Sequence, residues 1–494
     1  MRQELARLSK NTLIYGVGGL VQRFIGFLFL PVFTAYLTPA DYGISAILGL
    51  VTLVVTSVFS LGLGAGVGPC YFEGNRQDQR ERTIWTAFAL LVASAAGLVA
   101  CGLWLAPKIS LFAFQVVDHA DLVRLTIFAA ALNILMIPFT LRLQFEEQAG
   151  TFVLLTVGSS LVSIGASLLL VAALGRGVRG LVEAGLIGQV VGLPLFLIPT
   201  VRTLRFRLHR GTATELLRLS LPLVPGFAFV FLLLHGNKYI LQWMRGLDDV
   251  GIYSIGFNFG MVLNLLVSAF QTAWYPYFMS FLDRQEEARD LFGRIFTYYV
   301  LGIGGLTLLF FVLARPVVVL MTQPAFHQAY MAVGLSATAQ LCLGAFSLLL
   351  PGIYFAREIK YVSLVQAIAT VASVGLNVVL IRGYGVQGAA LGLVLGLFSL
   401  VVLQYLWNRH RRYLDVRYEW PRLGAFGVVF IGYALCSLLD AGFSRTGHLV
   451  ILGLLGGLLP WWMYLLLTPR ERAIMRGTLG PFTRGAPSRL SGRA

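Results

Sequence analysis

Asp41-Tyr42-Gly43-Ile44 and Asp249-Val250-Gly251-Ile252 stand 208 residues apart, and the same shift carries two further landmarks onto partners. Leu105-Ala106 falls on Leu313-Ala314, and Gly175-Arg176-Gly177-Val178-Arg179-Gly180 falls on Gly383-Tyr384-Gly385-Val386-Gln387-Gly388. One Gly-rich turn between apolar runs can match another by chance. Three matches in a single register point to a duplicated unit of about 200 residues. In a membrane protein, two similar halves are the usual architecture of a carrier.

Composition places the chain in a membrane. It is 57% hydrophobic and 12% charged, with a mean hydropathy of +0.79, whereas a soluble domain is roughly 45–50% apolar and 25% charged. The net charge of +16 does not signal nucleic acid, because the basic residues sit in short loops between apolar runs, where they set topology. Cys70, Cys101, Cys342 and Cys436 lie singly in or beside apolar segments, with no zinc-type spacing, and read as small packing residues. The apolar run from Asn11 to Leu37 is much longer than the 7–15-residue core of a signal peptide and is expected to remain as a spanning helix.

Runs of about 20 mostly apolar residues are long enough to cross a bilayer as helices. Fourteen occur, near 11–37, 43–69, 83–106, 121–143, 151–174, 181–201, 219–244, 250–276, 291–314, 328–353, 360–381, 384–407, 421–440 and 446–468. With both termini in the cytoplasm, the cytoplasmic loops, tails and adjoining span ends hold 28 of the 38 Lys and Arg and those of the opposite face hold eight, the asymmetry that a correct helix count requires. The first span matches the seventh, so both copies enter from the same side and the repeat is parallel, with its pseudo-two-fold axis along the membrane normal. The expected fold is an all-α polytopic membrane protein of about 14 transmembrane helices. It divides into an N-lobe (1–205) and a C-lobe (206–415), two parallel six-helix lobes around a central cavity. Two extra helices (416–468) and a basic cytoplasmic tail (469–494) follow.

Few residues within the spans can carry chemistry. Arg23 lies near the middle of the first span, where a charge costs roughly 2.5–3.5 kcal/mol on insertion scales. Gly16, Gly19, Arg23 and Gly26 share one helical stripe, which either packs into a lobe or lines the cavity. In the seventh span His235, Lys238, Gln242 and Arg245 step along one face by 3, 4 and 3. Arg245 and Gln242 are close enough to the outer interface to snorkel, which leaves Lys238 as the informative member. The second and eighth spans carry weaker stripes, Ser45, Gly49, Thr52, Thr56 and Ser60 against Asn264, Ser268, Gln271 and Tyr275. Under the 208 shift Thr56 meets Asn264. These groups either contact a polar cargo or bond neighbouring helices at about 0.6 kcal/mol each. Gln366, Thr370, Ser373 and Asn377 form another such stripe in the eleventh span.

Acidic residues inform by their placement. Glu183 sits near the end of a span, and none lies in a span's interior, whereas a cation-coupled exporter needs a carboxylate in its cavity. The cavity is therefore expected to be positive and its cargo anionic. The sequence holds no GxxxxGK[ST] loop, HExxH or GxSxG, so catalytic residues, metal and cofactor are all expected to be absent.

Leu37-Thr38-Pro39-Ala40-Asp41-Tyr42-Gly43, Asn237-Lys238-Tyr239 and Val250-Gly251-Ile252-Tyr253-Ser254 together resemble the Wzx-type polysaccharide and oligosaccharide flippases. Those belong to the multidrug/oligosaccharidyl-lipid/polysaccharide exporter superfamily, with the lipid II flippases and the drug-exporting MATE proteins. The resemblance covers roughly residues 5–410. It implies a two-lobe carrier in the bacterial inner membrane that flips a glycan linked to undecaprenyl pyrophosphate to the outer leaflet, for O-antigen, capsule or exopolysaccharide synthesis. It also implies association with a polysaccharide polymerase and glycosyltransferases. Arg23 and Lys238 suit the pyrophosphate, and His235, Gln242, Thr56, Asn264 and Gln271 complete the expected substrate-binding set. Many relatives carry an acidic residue where Asn237 stands. Fourteen helices are also what lipid II flippases have, so lipid II is the alternative cargo, with cation-coupled drug export a less favoured third reading.

Overall fold

The computed structural model describes residues 16–439 apart from 17, 23, 74–76 and 225, together with 457, 461 and 462. No strand occurs among them. The first six helices are α1 (Gly18–Tyr36), α2 (Pro39–Phe72), α3 (Gln77–Phe114), α4 (Ala120–Phe145), α5 (Ala149–Ala173) and α6 (Gly177–Thr203). A connector helix, Arg210–Ser220, leads to α7 (Gly226–Arg245), α8 (Leu247–Met279), α9 (Gln285–Met321) and α10 (Pro324–Phe355).

The next helix, Lys360–Arg411, has 52 residues. At 1.5 Å per residue it would reach about 78 Å, more than twice the hydrocarbon thickness of a bilayer. Gly385, at φ 52° and ψ −123°, kinks it into two spans, α11 (360–384) and α12 (386–411). Then comes α13 (Trp420–Leu439). The protein is thus an all-helical polytopic membrane protein. The expected fourteenth span and basic tail lie outside the described residues, except for Gly457, Trp461 and Trp462.

Helix ends differ from the apolar runs in an informative way. The run 83–106 belongs to a helix of 38 residues that begins with the polar turn Gln77-Asp78-Gln79-Arg80-Glu81-Arg82. Hydropathy reads the segment that sits in lipid, while the helix continues into water. Cys70 and Cys342 are buried as expected, but Cys101 is exposed on the outer surface of α3.

The duplication is written into the backbone. Gly177 and Gly385, 208 residues apart, both have a positive φ, 56° and 52°. Gly43 and Gly251 pack reciprocally: a Cβ on Gly43 would lie 2.0 Å from the Leu247 carbonyl oxygen, and one on Gly251 would lie 1.9 Å from the Pro39 carbonyl oxygen. Pro39 and Leu247 are themselves 208 residues apart, so this is the self-complementary contact that a two-fold axis generates. The sequence around Gly43 begins α2 sharply. Thr38 accepts from the Asp41 backbone N–H at 3.2 Å, and Asp41 accepts from the Thr38 N–H at 2.9 Å, with Pro39 in the first helical position.

That axis lies at one end of the lobe interface. The halves of α2 and α8 nearest Gly43 and Gly251 pack together, whereas the second half of α2, Leu63–Phe72, turns to the connector helix, α3 and α4. The second half of α8, Asn264–Met279, packs on α10. Other contacts between the lobes also gather at the Gly43 end. Trp243 of α7 donates to the Phe112 carbonyl of α3 at 3.2 Å, and Tyr42 meets Phe326 edge-on at 5.2 Å. On the orientation expected from the charge asymmetry, the lobes touch at the outer face and part toward the cytoplasm.

Candidate functional site

α7 places its polar stripe against the interior of the C-lobe. Asn237, 2% exposed, donates to the Tyr253 hydroxyl at 2.6 Å and to the Ala389 carbonyl at 3.1 Å. Only the amide nitrogen can donate to a carbonyl, so this fixes the side chain's orientation and ties α7 to α8 and α12. The Asn237 Oδ1 is left buried without a hydrogen-bond partner, as are His235 Nδ1 and Gln242 Oε1.

Lys238 lies between them. It is 7% exposed, and no carboxylate among the described residues forms an ion pair with it. Its Nζ instead sits 4.7 Å from the centre of the Phe257 ring. A desolvated cation–π contact returns about 2 kcal/mol, while removing an ammonium from water costs several. Each unsatisfied acceptor adds about 1–3 kcal/mol. One uncompensated cation, two empty amide acceptors and an unpartnered imidazole nitrogen on a single helix therefore form an energetically incomplete site, suited to a ligand that brings negative charge and hydrogen-bonding groups.

Phe257 connects this cluster to open space. With Gly26 and Phe27 of α1, Tyr42 of α2, and Asn258 and Met261 of α8, it lines a cavity of about 470 Å³ at the lobe interface. Leu30, which the 208 shift places opposite Lys238, lines the same cavity. The ammonium thus lies behind an aromatic ring that borders the cavity.

A second cavity, of about 590 Å³, lies wholly in the N-lobe between α1, α4, α5 and α6. Its polar wall comprises Gln22, Asn133, Thr140, Gln144, Thr156, Ser159, Ser160, Ser163 and Gln189. None of these belonged to the expected binding set. The signal was present: Thr156, Ser160, Ser163 and Ser167 step by 4, 3 and 4 along α5. They correspond to Gln366, Thr370, Ser373 and Asn377 of α11 at a shift of 210. Structure supports that register, since Ser163 packs on Gly188 and Ser373 on Gly396. The two additional residues of the N-lobe fall where α5 ends in a π-helix, Leu168–Ala173, so a constant 208 shift hides the match.

The remaining expected residues are dispersed. Arg23 lies outside the described residues. Asn264 donates to Gln340 at 2.9 Å and Gln271 to the Leu343 carbonyl at 3.4 Å, so both amides join α8 to α10. Thr56 Oγ1 is buried without a partner. Arg245 caps the end of α11 by donating to the carbonyls of Arg382, at 2.9 Å, and Ile381, at 3.4 Å. His235, Lys238 and Gln242 form the one group brought together. Carboxylates stay at the margins, with Glu183 paired to Arg176 at 2.5 Å and to Arg179 at 3.0 Å near the start of α6.

Residues 8–282, which include α1, the reciprocal glycines and Lys238, match the family described as "Polysaccharide biosynthesis protein". The chain belongs to this polysaccharide biosynthesis protein family. No curated protein matches this family member in sequence. Among solved structures, the lipid II flippase MurJ in an inward closed conformation is similar to it at a TM-score of 0.70 and 12% identity, covering 94% of this chain and 99% of MurJ. An inward-facing multidrug resistance MATE transporter of the MOP superfamily is similar at a TM-score of 0.66 and 15% identity, covering 82% of this chain and 97% of the transporter. At such identities the likeness establishes the fold, which the polysaccharide biosynthesis protein shares with flippases and transporters of that superfamily.

Proposed function

We propose that the protein flips a saccharide linked to undecaprenyl pyrophosphate from the cytoplasmic to the outer leaflet of a bacterial inner membrane, by alternating access of an N-lobe (1–205) and a C-lobe (206–415). The carrying observation is Lys238, a buried cation with no anionic partner, set behind the ring of Phe257 at the interface cavity. An anionic head group entering from the cytoplasmic side displaces Phe257 and takes the ammonium, with Arg23 as the second cation. The lipid tail remains in the bilayer. An inside-negative potential drives each negative charge outward by about 2.3 kcal/mol per 100 mV, and it draws the emptied cationic site back. No coupling carboxylate is needed in this cycle, and none lines the cavities among the described residues.

Lipid II is the second reading, supported by a match that extends over 94% of this chain and nearly all of MurJ. Loss of the protein separates the two: viable cells lacking one surface glycan favour the saccharide cargo, and lysis on depletion favours lipid II. In cells whose surface polysaccharide depends on this chain, Lys238→Ala is expected to abolish the polymer while the protein remains in the membrane, and Lys238→Arg to retain part of the output. Normal polymer from the Ala variant would refute the cation's role.

A further inference from the structure

The N-lobe cavity is a site that the cation chemistry leaves unused, and we propose that it binds the saccharide portion of the cargo, a neutral hydroxyl-rich group. This deepens the flippase reading and rests on it. At about 590 Å³ the cavity lies within the roughly 300–1,000 Å³ range of small-molecule sites. It meets a second cavity of about 440 Å³ at Gln22, Gln144, Phe152 and Thr156, so the space extends along α1 and α5 for more than one sugar ring.

The lining supplies both halves of a hydroxyl's hydrogen bonding. Asn133, Gln144 and Gln189 make no side-chain hydrogen bond among the described residues, and each amide presents two donors and an acceptor. Thr156, Ser159 and Ser160 donate to the carbonyls of Phe152, Leu155 and Thr156 at 2.7, 2.6 and 2.9 Å, which leaves the oxygens of Thr156 and Ser159 free to accept, while Ser160 already accepts from Gln22. Phe152, half-buried on the cavity wall, brings apolar surface to the C–H face of a sugar ring. None of the described lining residues is charged. A cation would lack a carboxylate there, and a lipid tail would leave three amides unpaired at a cost.

The C-lobe is the internal control. Three of the four residues of its equivalent stripe are closed off: Thr370, Ser373 and Asn377 are 4%, 1% and 3% exposed while Gln366 is half-buried, and Thr370 donates to the Phe229 carbonyl of α7 at 3.1 Å. In the N-lobe the matching contact is one bond from Gln22 to Ser160 at 2.7 Å, and the space beside it remains open.

The test uses the full chain in lipid nanodiscs with two probes, undecaprenyl pyrophosphate carrying a neutral tetrasaccharide and undecaprenyl pyrophosphate alone. The wild type is expected to bind the glycosylated probe at least tenfold more tightly. Asn133→Leu with Gln189→Leu is expected to erase that difference while leaving the affinity for the bare probe unchanged, which also reports that the variant is folded. Independently, maleimide labelling of a Thr156→Cys variant whose four native cysteines are replaced by Ala is expected to slow under the glycosylated probe and not under the bare one. Equal wild-type affinity for both probes, or unaltered discrimination in the double variant, overturns the saccharide site and leaves the pyrophosphate reading standing. Binding of neither probe overturns both.

Discussion

The two lobes share a scaffold and differ in what fills it. Each has a glycine of positive φ at the matching position, Gly177 and Gly385, and each contributes one glycine to the reciprocal contact of α2 with α8. The C-lobe is tightly packed around one buried cation. The N-lobe keeps a neutral, hydroxyl- and amide-lined space where the C-lobe is closed. On the proposed function, duplication supplies the parts that move together and divergence the parts that meet a cargo. An asymmetric substrate with an anionic end and a neutral polar end fits a carrier whose halves specialised in this way.

The sharpest way to break the comparison is to move the charge. Lys238→Leu gives the C-lobe the residue that the N-lobe has at position 30, and it removes a buried charge whose pairing with ligand is worth about 2–5 kcal/mol. Flipping of a pyrophosphate-linked probe in proteoliposomes should fall by at least about thirtyfold on that basis. Adding Leu30→Lys restores a cation to the same interface cavity, because Leu30 lines it beside Phe257. Partial recovery of flipping is the expected outcome. No recovery would mean that the position of the charge, and the polar groups of His235, Asn237 and Gln242 near it, matter as much as its presence.

Shared features should respond alike. Gly43→Ala and Gly251→Ala each force a methyl group against a backbone carbonyl of the other lobe, and overpacking of this kind costs about 1–3 kcal/mol. That cost falls on the state in which the lobes touch at the Gly43 and Gly251 end. Both variants should therefore raise thiol-reagent labelling of an Ala40→Cys probe in a background whose native cysteines are replaced by Ala, and by similar factors. A large effect from one glycine with none from the other would contradict the two-fold contact.

Much of this was legible in the sequence. The duplication, its parallel sense and the twelve helices of the two lobes follow from spaced turns, apolar runs and charge asymmetry, because those patterns are local. α7 was legible too, since a 3-4-3 stripe assigns its residues to one face. The N-lobe cavity was missed for two physical reasons. The π-helix Leu168–Ala173 displaces the register by two residues, and serine and threonine stripes look the same whether neighbouring helices press against them or stand away. Asn264 and Gln271 illustrate the other side of that ambiguity, being taken up by Gln340 and the Leu343 carbonyl. Whether a hydroxyl stripe faces a helix or a cavity depends on the distance between helices, which no single segment encodes.

The smallest expected effect tests how the C-lobe keeps its cation while no cargo is bound. Lys238 lies over the Phe257 ring at 4.7 Å, a contact worth about 0.5–2 kcal/mol, and a bound anion must replace it. Leucine at 257 keeps apolar volume but has no ring quadrupole. Phe257→Leu should therefore destabilise the empty protein slightly and strengthen binding of undecaprenyl pyrophosphate by about two- to thirtyfold, the same energy seen from the ligand's side. Leu30→Phe, at the position opposite Lys238, has no cation to release and should leave that affinity nearly unchanged. Weaker binding in Phe257→Leu would instead make the ring part of the cargo site, and the C-lobe would then hold its ligand by stacking as well as by charge.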